Sequence, residues 1–144
     1  MLRTLIALAI CVSGCADPSL GSTTKAVVSN EPWVVHTIAN DLRGADGHAT
    51  ADADHDGDAD VAVVWEESSR VTVYARPADP RIAPWPLLAN YAHSSVEDVT
   101  FCDFDGDGWP DLASAGEDKK IRIARNLGGA FAAPVVVALS LIHI

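Results

Sequence analysis

Aspartate recurs on alternate residues twice in this chain, in Asp52-Ala-Asp54-His-Asp56-Gly57-Asp58-Ala-Asp60-Val61 and in Asp103-Phe-Asp105-Gly-Asp107-Gly108-Trp109-Pro-Asp111-Leu112. Both stretches carry Asp at positions one, three, five and nine, Gly at six and an aliphatic residue at ten. Carboxylates spaced in this way converge only where the backbone wraps round a point, and the wrap suits a hard cation: Ca²⁺ typically takes six to eight oxygen ligands at about 2.3–2.6 Å. Gly57 and Gly108 permit the left-handed backbone that the wrap requires. Position seven, Asp58 or Trp109, then offers its main-chain carbonyl. Two carboxylates held about 4 Å apart repel by about 4 kcal/mol at an effective dielectric near 20, so without metal such a loop loosens.

The flanks decide which kind of loop this is. An EF-hand needs a bidentate Glu at position twelve and a helix on each side. Position twelve here is Val63 or Ser114, and the following residues alternate: Val61, Val63 and Trp65 on one side, Ala62 and Val64 on the other, then Val71-Thr-Val73-Tyr-Ala75. This is strand periodicity with β-branched content. The similarity also runs beyond the loops, which stand 51 residues apart. Asp60 to Arg76 is echoed by Asp111 to Arg125, and Ile38-Ala-Asn40 by Leu88-Ala-Asn90. A period near fifty with several short strands per unit belongs to repeat architectures, propellers above all.

On these residues the chain resembles the FG-GAP or VCBS repeat family, whose signature D-x-D-G-D-G-x-x-D-[LIV] is matched in full by Asp103 to Leu112. The first loop departs at position four, where His55 replaces Gly, and keeps its carboxylates. The resemblance covers roughly Trp33 to Ala138. It implies an all-β fold of propeller-type blades, each of four antiparallel strands with Ca²⁺ held between the first two. About two blades are present, and the chain reads as a fragment of a larger propeller whose remaining blades lie in missing sequence. The implied metal ligands are Asp52, Asp54, Asp56, Asp58 and Asp60 in the first loop, and Asp103, Asp105, Asp107, Trp109 and Asp111 in the second. Repeats occupy 31–138, with blades at about 48–89 and 96–138 and residues near 33–39 as the last strand of a preceding blade. The Pro77, Pro80, Pro84, Pro86 patch reads as a loop leading into an edge strand, because proline cannot donate to a ladder.

The ends carry separate signals. Arg3, the apolar run Leu5 to Val12 and Val12-Ser13-Gly14-Cys15 resemble a bacterial lipoprotein signal over 1–14, with Cys15 the acylated residue; the alternative is an ordinary secretory signal. The apolar run is too short to span a bilayer. Residues 15–30 form a polar tether. The tail 139–144 reads either as a final strand or as translated adapter sequence, an artefact in which His143 has no meaning. With Cys11 removed and Cys15 lipidated, Cys102 has no disulfide partner, so metal takes the stapling role. Cys102 itself is expected to pack as a small buried hydrophobe. The formal charge of −10 sits largely in the two loops, and without a basic face nucleic acid is excluded as a partner.

The remaining candidates have plain readings. His36, His48, His55 and His93 share no repeat position and no short spacing, so they are surface or strand histidines, with His55 facing solvent. The aspartates are ligands and not an acid–base pair, and no G-x-S-x-G, H-E-x-x-H or phosphate-cradling motif is present. Trp65 is a core residue; Trp109 stands between packing and stacking on a sugar. The function expected is non-catalytic: an exported, lipid-anchored Ca²⁺-binding propeller in the bacterial cell envelope, touching the membrane only through its anchor, that acts as a binding or adhesion scaffold for a protein or glycan. The alternatives are an accessory propeller of a larger extracellular carbohydrate- or ester-active enzyme, and a purely structural spacer.

Overall fold

Alternating apolar residues form strands wherever they can cover one another, and the computed structural model, which describes residues 34–139, arranges these in two antiparallel sheets of four. The first sheet orders β1 (Ala45–Ala51), β2 (Asp60–Trp65), β3 (Arg70–Tyr74) and β4 (Leu87–Ala92); the second orders β5 (Val96–Cys102), β6 (Asp111–Gly116), β7 (Lys120–Ala124) and β8 (Val135–Leu139). No helix occurs among the described residues. The sheets thus run over 45–92 and 96–139, where about 48–89 and 96–138 were expected. Both are propeller-type blades, and they are not closed into a ring. The signal segment 1–14, Cys15, the tether 15–30, Trp33 and the tail beyond Leu139 lie outside the described residues.

The two blades share their irregularities as well as their order. A β-bulge between Ala45 and His48 in the β1–β2 pairing recurs between Val96 and Asp98 in β5–β6, 51 residues on. The blades meet face to face. Ala62 and Val64 of β2 with Val71 and Val73 of β3 pack against Val96, Val99 and Leu112, and Ala53 and Ala124 complete this core. Backbones approach so closely that a Cβ on Gly47 would stand 2.7 Å from the Glu97 carbonyl oxygen, which is why β1 carries glycine there. The opposite face of the first blade, with Val61, Val63, Trp65, Thr72 and Tyr74, is also buried. Its Trp65 is a core residue as expected, and the indole N–H donates to Thr72 Oγ1 at 2.8 Å.

Three expectations need correction. Residues 34–39 form no strand: the Trp85 N–H donates to the Ile38 carbonyl (2.9 Å), but the loop 77–86 to which Trp85 belongs is rich in prolines, which without N–H cannot extend a ladder. Cys102 is exposed. Past the bulge, Val99 and Phe101 turn to the core, so Thr100 and Cys102 turn outward. His93 is no surface histidine but 1% exposed, just beyond β4. Its Nδ1 lies 2.9 Å from Ser114 Oγ and its Nε2 3.4 Å from Asp118 Oδ1, while Tyr91 donates to the same Ser114 oxygen at 3.3 Å and Arg122 to Asp118 Oδ2 at 2.8 Å. Residues at the end of the first blade are thereby tied to β6 and the turn after it, with β7 joined through Asp118. Ser114, His93 and Asp118 have the order of contacts of a nucleophilic triad, but Ser114 is 2% exposed and the group lies enclosed as a clamp between blades.

Burial first, and then the positive Arg122, push the His93 imidazole below its ordinary value of 6.5, with Asp118 pulling the other way. A histidine kept neutral in the fold but free to protonate when unfolded gives stability that is complete above about pH 6.5 and declines as pH falls below it. The melting temperature should therefore drop between about pH 7 and about pH 5, and His93→Gln should flatten that slope; parallel slopes in the two proteins would rule His93 out as the cause.

Candidate metal centre

Each acidic loop is built by its own aspartates before any ligand is considered. In the first, Asp54 Oδ1 accepts from the Asp56 N–H (3.2 Å), Asp56 Oδ1 from Asp58 (2.8 Å) and Asp52 Oδ2 from Gly57 (3.1 Å). The second repeats the pattern: Asp105 Oδ1 accepts from Asp107 (3.3 Å), Asp107 Oδ1 from Trp109 (2.9 Å) and Asp103 Oδ2 from Gly108 (2.9 Å). Side chains bonding the backbone two residues on are Asx turns; two in series, at positions three and five, with the position-one carboxylate accepting from five residues on, curl the chain round its carboxylates. The curl needs positive φ at positions four and six. Gly57 and Gly108 both sit at 91°, and an added Cβ would meet nothing within 4 Å, so glycine is there for its backbone and not for space. At position four Gly106 has φ 77° and His55 φ 60°, a conformation that His tolerates better than most residues.

Position nine plays another part. Asp60 and Asp111 are fully buried, and both oxygens of each accept main-chain N–H groups. Asp60 takes Ala53 and Arg76 at 2.8 Å each; Asp111 takes Phe104 at 3.1 Å and Asn126 at 2.8 Å. These aspartates pin the start of the loop to the chain leaving the third strand of the blade. Burial raises the Asp60 carboxyl above its usual range against the two backbone bonds that lower it. Asp103 is shifted down, first by the Gly108 N–H, with Gly106 and Asp107 adding to it against the opposing effect of burial.

The loops bring oxygens together. One oxygen each from Asp52, Asp54 and Asp56 lies within 4.8 Å of the others, and so do oxygens of Asp103, Asp105 and Asp111. Asp60, fully buried, is not among the converging oxygens of the first loop. Asp58, at position seven, pairs with Arg76, while Asp107 and Asp105 both face Arg125, with Asp107 Oδ2 at 3.7 Å from Nη2. Asp52 Oδ1 is buried and has no hydrogen-bond partner. An orphaned anionic oxygen among converging carboxylates fits a hard dication, and the all-oxygen donor set fits Ca²⁺ or Mg²⁺ and not a thiophilic metal. The histidines join neither cluster.

Two features escaped the sequence reading. His55 does not simply face water; its ring stacks on Trp109 of the other loop, with centroids 3.9 Å apart and planes 15° from parallel. Trp109 therefore packs between loops. Asn126 is fully buried and reaches both loops through its side-chain amide, to the Ala53 carbonyl (2.8 Å) and the Pro110 carbonyl (3.2 Å). The stack joins residues 54 positions apart and had no spacing signal. Asn126, in Arg125-Asn-Leu-Gly-Gly129, had one in the turn-forming composition.

Replacing Asp60 or Asp111 by Asn would set an amide N–H₂ against a backbone N–H in a buried site, which should remove about 1–3 kcal/mol of stability in urea unfolding with chelator present. Asp56→Asn, at an exposed position, should remove far less. Equal losses for Asp56→Asn and Asp60→Asn would disprove the pinning role.

A family model described as the FG-GAP-like repeat matches residues 52–114 and again 103–142. Both matches open on the position-one aspartate of a loop and run into the sheet behind it. No curated protein matches the chain. With the two matches covering more than half of its length and each headed by one of the two equivalent loops, the chain belongs to the family of FG-GAP-like repeats.

Proposed function

We propose that this protein is a Ca²⁺-stabilised propeller-repeat module, exported and held at the bacterial envelope by a lipid on Cys15, which serves as a non-catalytic binding or adhesion scaffold. The observation that carries the metal reading is the convergence of three aspartates in each loop, at positions one, three and five in the first and one, three and nine in the second, with Asp52 Oδ1 left orphaned. Bound Ca²⁺ supplies charge neutralisation and a cross-link between the strands flanking each loop. Asp52, Asp54 and Asp56 hold it in the first loop, and Asp103, Asp105 and Asp111 in the second. Export and anchoring are supported by the run Leu5 to Val12 followed by Val12-Ser13-Gly14-Cys15. The scaffold reading is supported by the repeat family and by the enclosure of the Ser114–His93–Asp118 group.

Extracellular Ca²⁺ modules often bind at roughly 10⁻⁴–10⁻³ M. At a hundredfold excess over Kd each site adds about 2.7 kcal/mol, so saturating Ca²⁺ should raise the melting temperature by about 10 °C or more over chelator. An unchanged midpoint would overturn the reading. Glycan and protein arrays probed in Ca²⁺ separate a binder from a spacer, the spacer capturing nothing.

Arg125 occupies carboxylates that Ca²⁺ needs. Its exposed ion pair is worth at most about 1 kcal/mol, so Arg125→Gln should tighten the second loop up to about fivefold in Ca²⁺ calorimetry and leave the first unchanged. Weaker binding at the second loop would mean that Arg125 organises the site.

A further inference from the structure

The turn that follows β7 lies across both acidic loops. It closes on itself through the Asn126–Phe131 bridge, the Leu127 N–H to the Ala130 carbonyl (2.7 Å) and the Gly129 N–H to Asn126 Oδ1 (2.8 Å). Asn126 spends one side of its amide on Ala53 of the first loop and the other on Pro110 of the second, while its main-chain N–H holds Asp111. Gly129 rests on the first loop, where an added Cβ would lie 3.3 Å from Asp54 Cβ; Gly128 rests on the second, where one would lie 3.8 Å from the Trp109 ring. On the outer side Trp109 stacks on His55. The loops are therefore joined twice, underneath by a buried amide and above by a pair of rings.

On the reading of these loops as cation sites, we propose that the Asn126–Phe131 turn and the His55–Trp109 stack couple them, so that a divalent cation entering one loop raises the affinity of the other. Repelling carboxylates loosen an empty loop. Loosening the first moves the Ala53 carbonyl and the His55 ring, and with them two supports of Asp111 and Trp109 in the second. A cation that closes one loop restores these supports, so the second ion meets a loop already in its binding form. Direct charge works the other way, because a first dication weakens the field that attracts the next. That opposing effect is screened in about 1 M salt, where the Debye length is about 3 Å, whereas the mechanical link is not.

The experiment is Ca²⁺ calorimetry on the full chain in about 1 M KCl, with tryptophan emission followed in parallel. Asp103→Asn/Asp105→Asn isolates the first site and Asp52→Asn/Asp54→Asn the second; the product of their two affinities is compared with the total for both sites in the unaltered chain. The unaltered chain should bind the pair at least about fivefold more tightly than that product. His55→Ala, which alters an exposed ring and no ligand, should bring the factor towards one, and so should Asn126→Ala. A factor within about twofold of one in the unaltered chain, with both loops binding, overturns the coupling and leaves the Ca²⁺ reading standing. A full factor in both His55→Ala and Asn126→Ala overturns this route. Absence of any Ca²⁺ heat or emission change overturns the metal reading and the coupling with it.

Discussion

Carboxylates crowded on a short stretch of chain repel one another, and the rest of this fold is arranged around opposing that repulsion with main-chain N–H groups. The Asx turns at positions three and five and the longer bond to the position-one carboxylate meet the charge locally, since hydrogen bonds to an ionised acceptor are stronger than neutral ones. At position nine the exchange is reversed in purpose. Asp60 and Asp111 supply acceptors to backbone donors that no ladder reaches, so a buried charge satisfies four N–H groups that would otherwise be orphaned. The aspartate pattern thus serves two ends with one residue type, carboxylates that converge as a cation would need and a buried pair that fastens each loop to its sheet, with Asp111 in both sets.

The sheets inherit their order from these fasteners. With Asp60 fixing where β2 begins, its alternation sends Ala62 and Val64 towards the second blade and Val61, Val63 and Trp65 away from it. In the second blade the same register sends Leu112 and Ser114 towards the first. Packing at the joint is tight enough that Gly47 is required there, and within the second blade a Cβ on Gly116 would collide with the Ser95 carbonyl oxygen. A polar clamp sits beside this apolar joint, and a buried network of that kind specifies one arrangement of blades over others.

Much of this was legible in the residues. The period of two in Val61 to Trp65 and in Val71 to Tyr74, the fifty-residue recurrence and the prolines before β4 place the strands and sheet order, because those signals are local. The acidic loops were equally legible as loops, because alternate aspartates with Gly at six leave the backbone few other courses. What could not be read was tertiary. His93 lies 21 residues before Ser114 and 25 before Asp118, in the other blade, so their meeting has no short spacing to betray it. Cys102 was misjudged because a bulge at Val96–Asp98 resets which residues face inward. Position nine looked like one more ligand; that it also closes the base of the loop depends on Arg76 and Asn126, about fifteen residues further along.

The two faces of each blade are unlike. One carries Val61 or Leu112, and the other carries Ala62 and Val64 or their counterparts Ala113 and Ala115, which in the second blade are only partly covered. Ala53, at loop position two, is sealed by the next blade, whereas its counterpart Phe104 is 49% exposed. The joint is therefore heterologous, head to tail, and has a direction along the chain. Adding a whole repeat in the same orientation opposes the same two kinds of surface at each seam, whereas inverting one would oppose two surfaces of the same kind; growth by modules thus keeps the polarity of the joint and leaves only individual contacts, such as the His55–Trp109 stack, to be rebuilt.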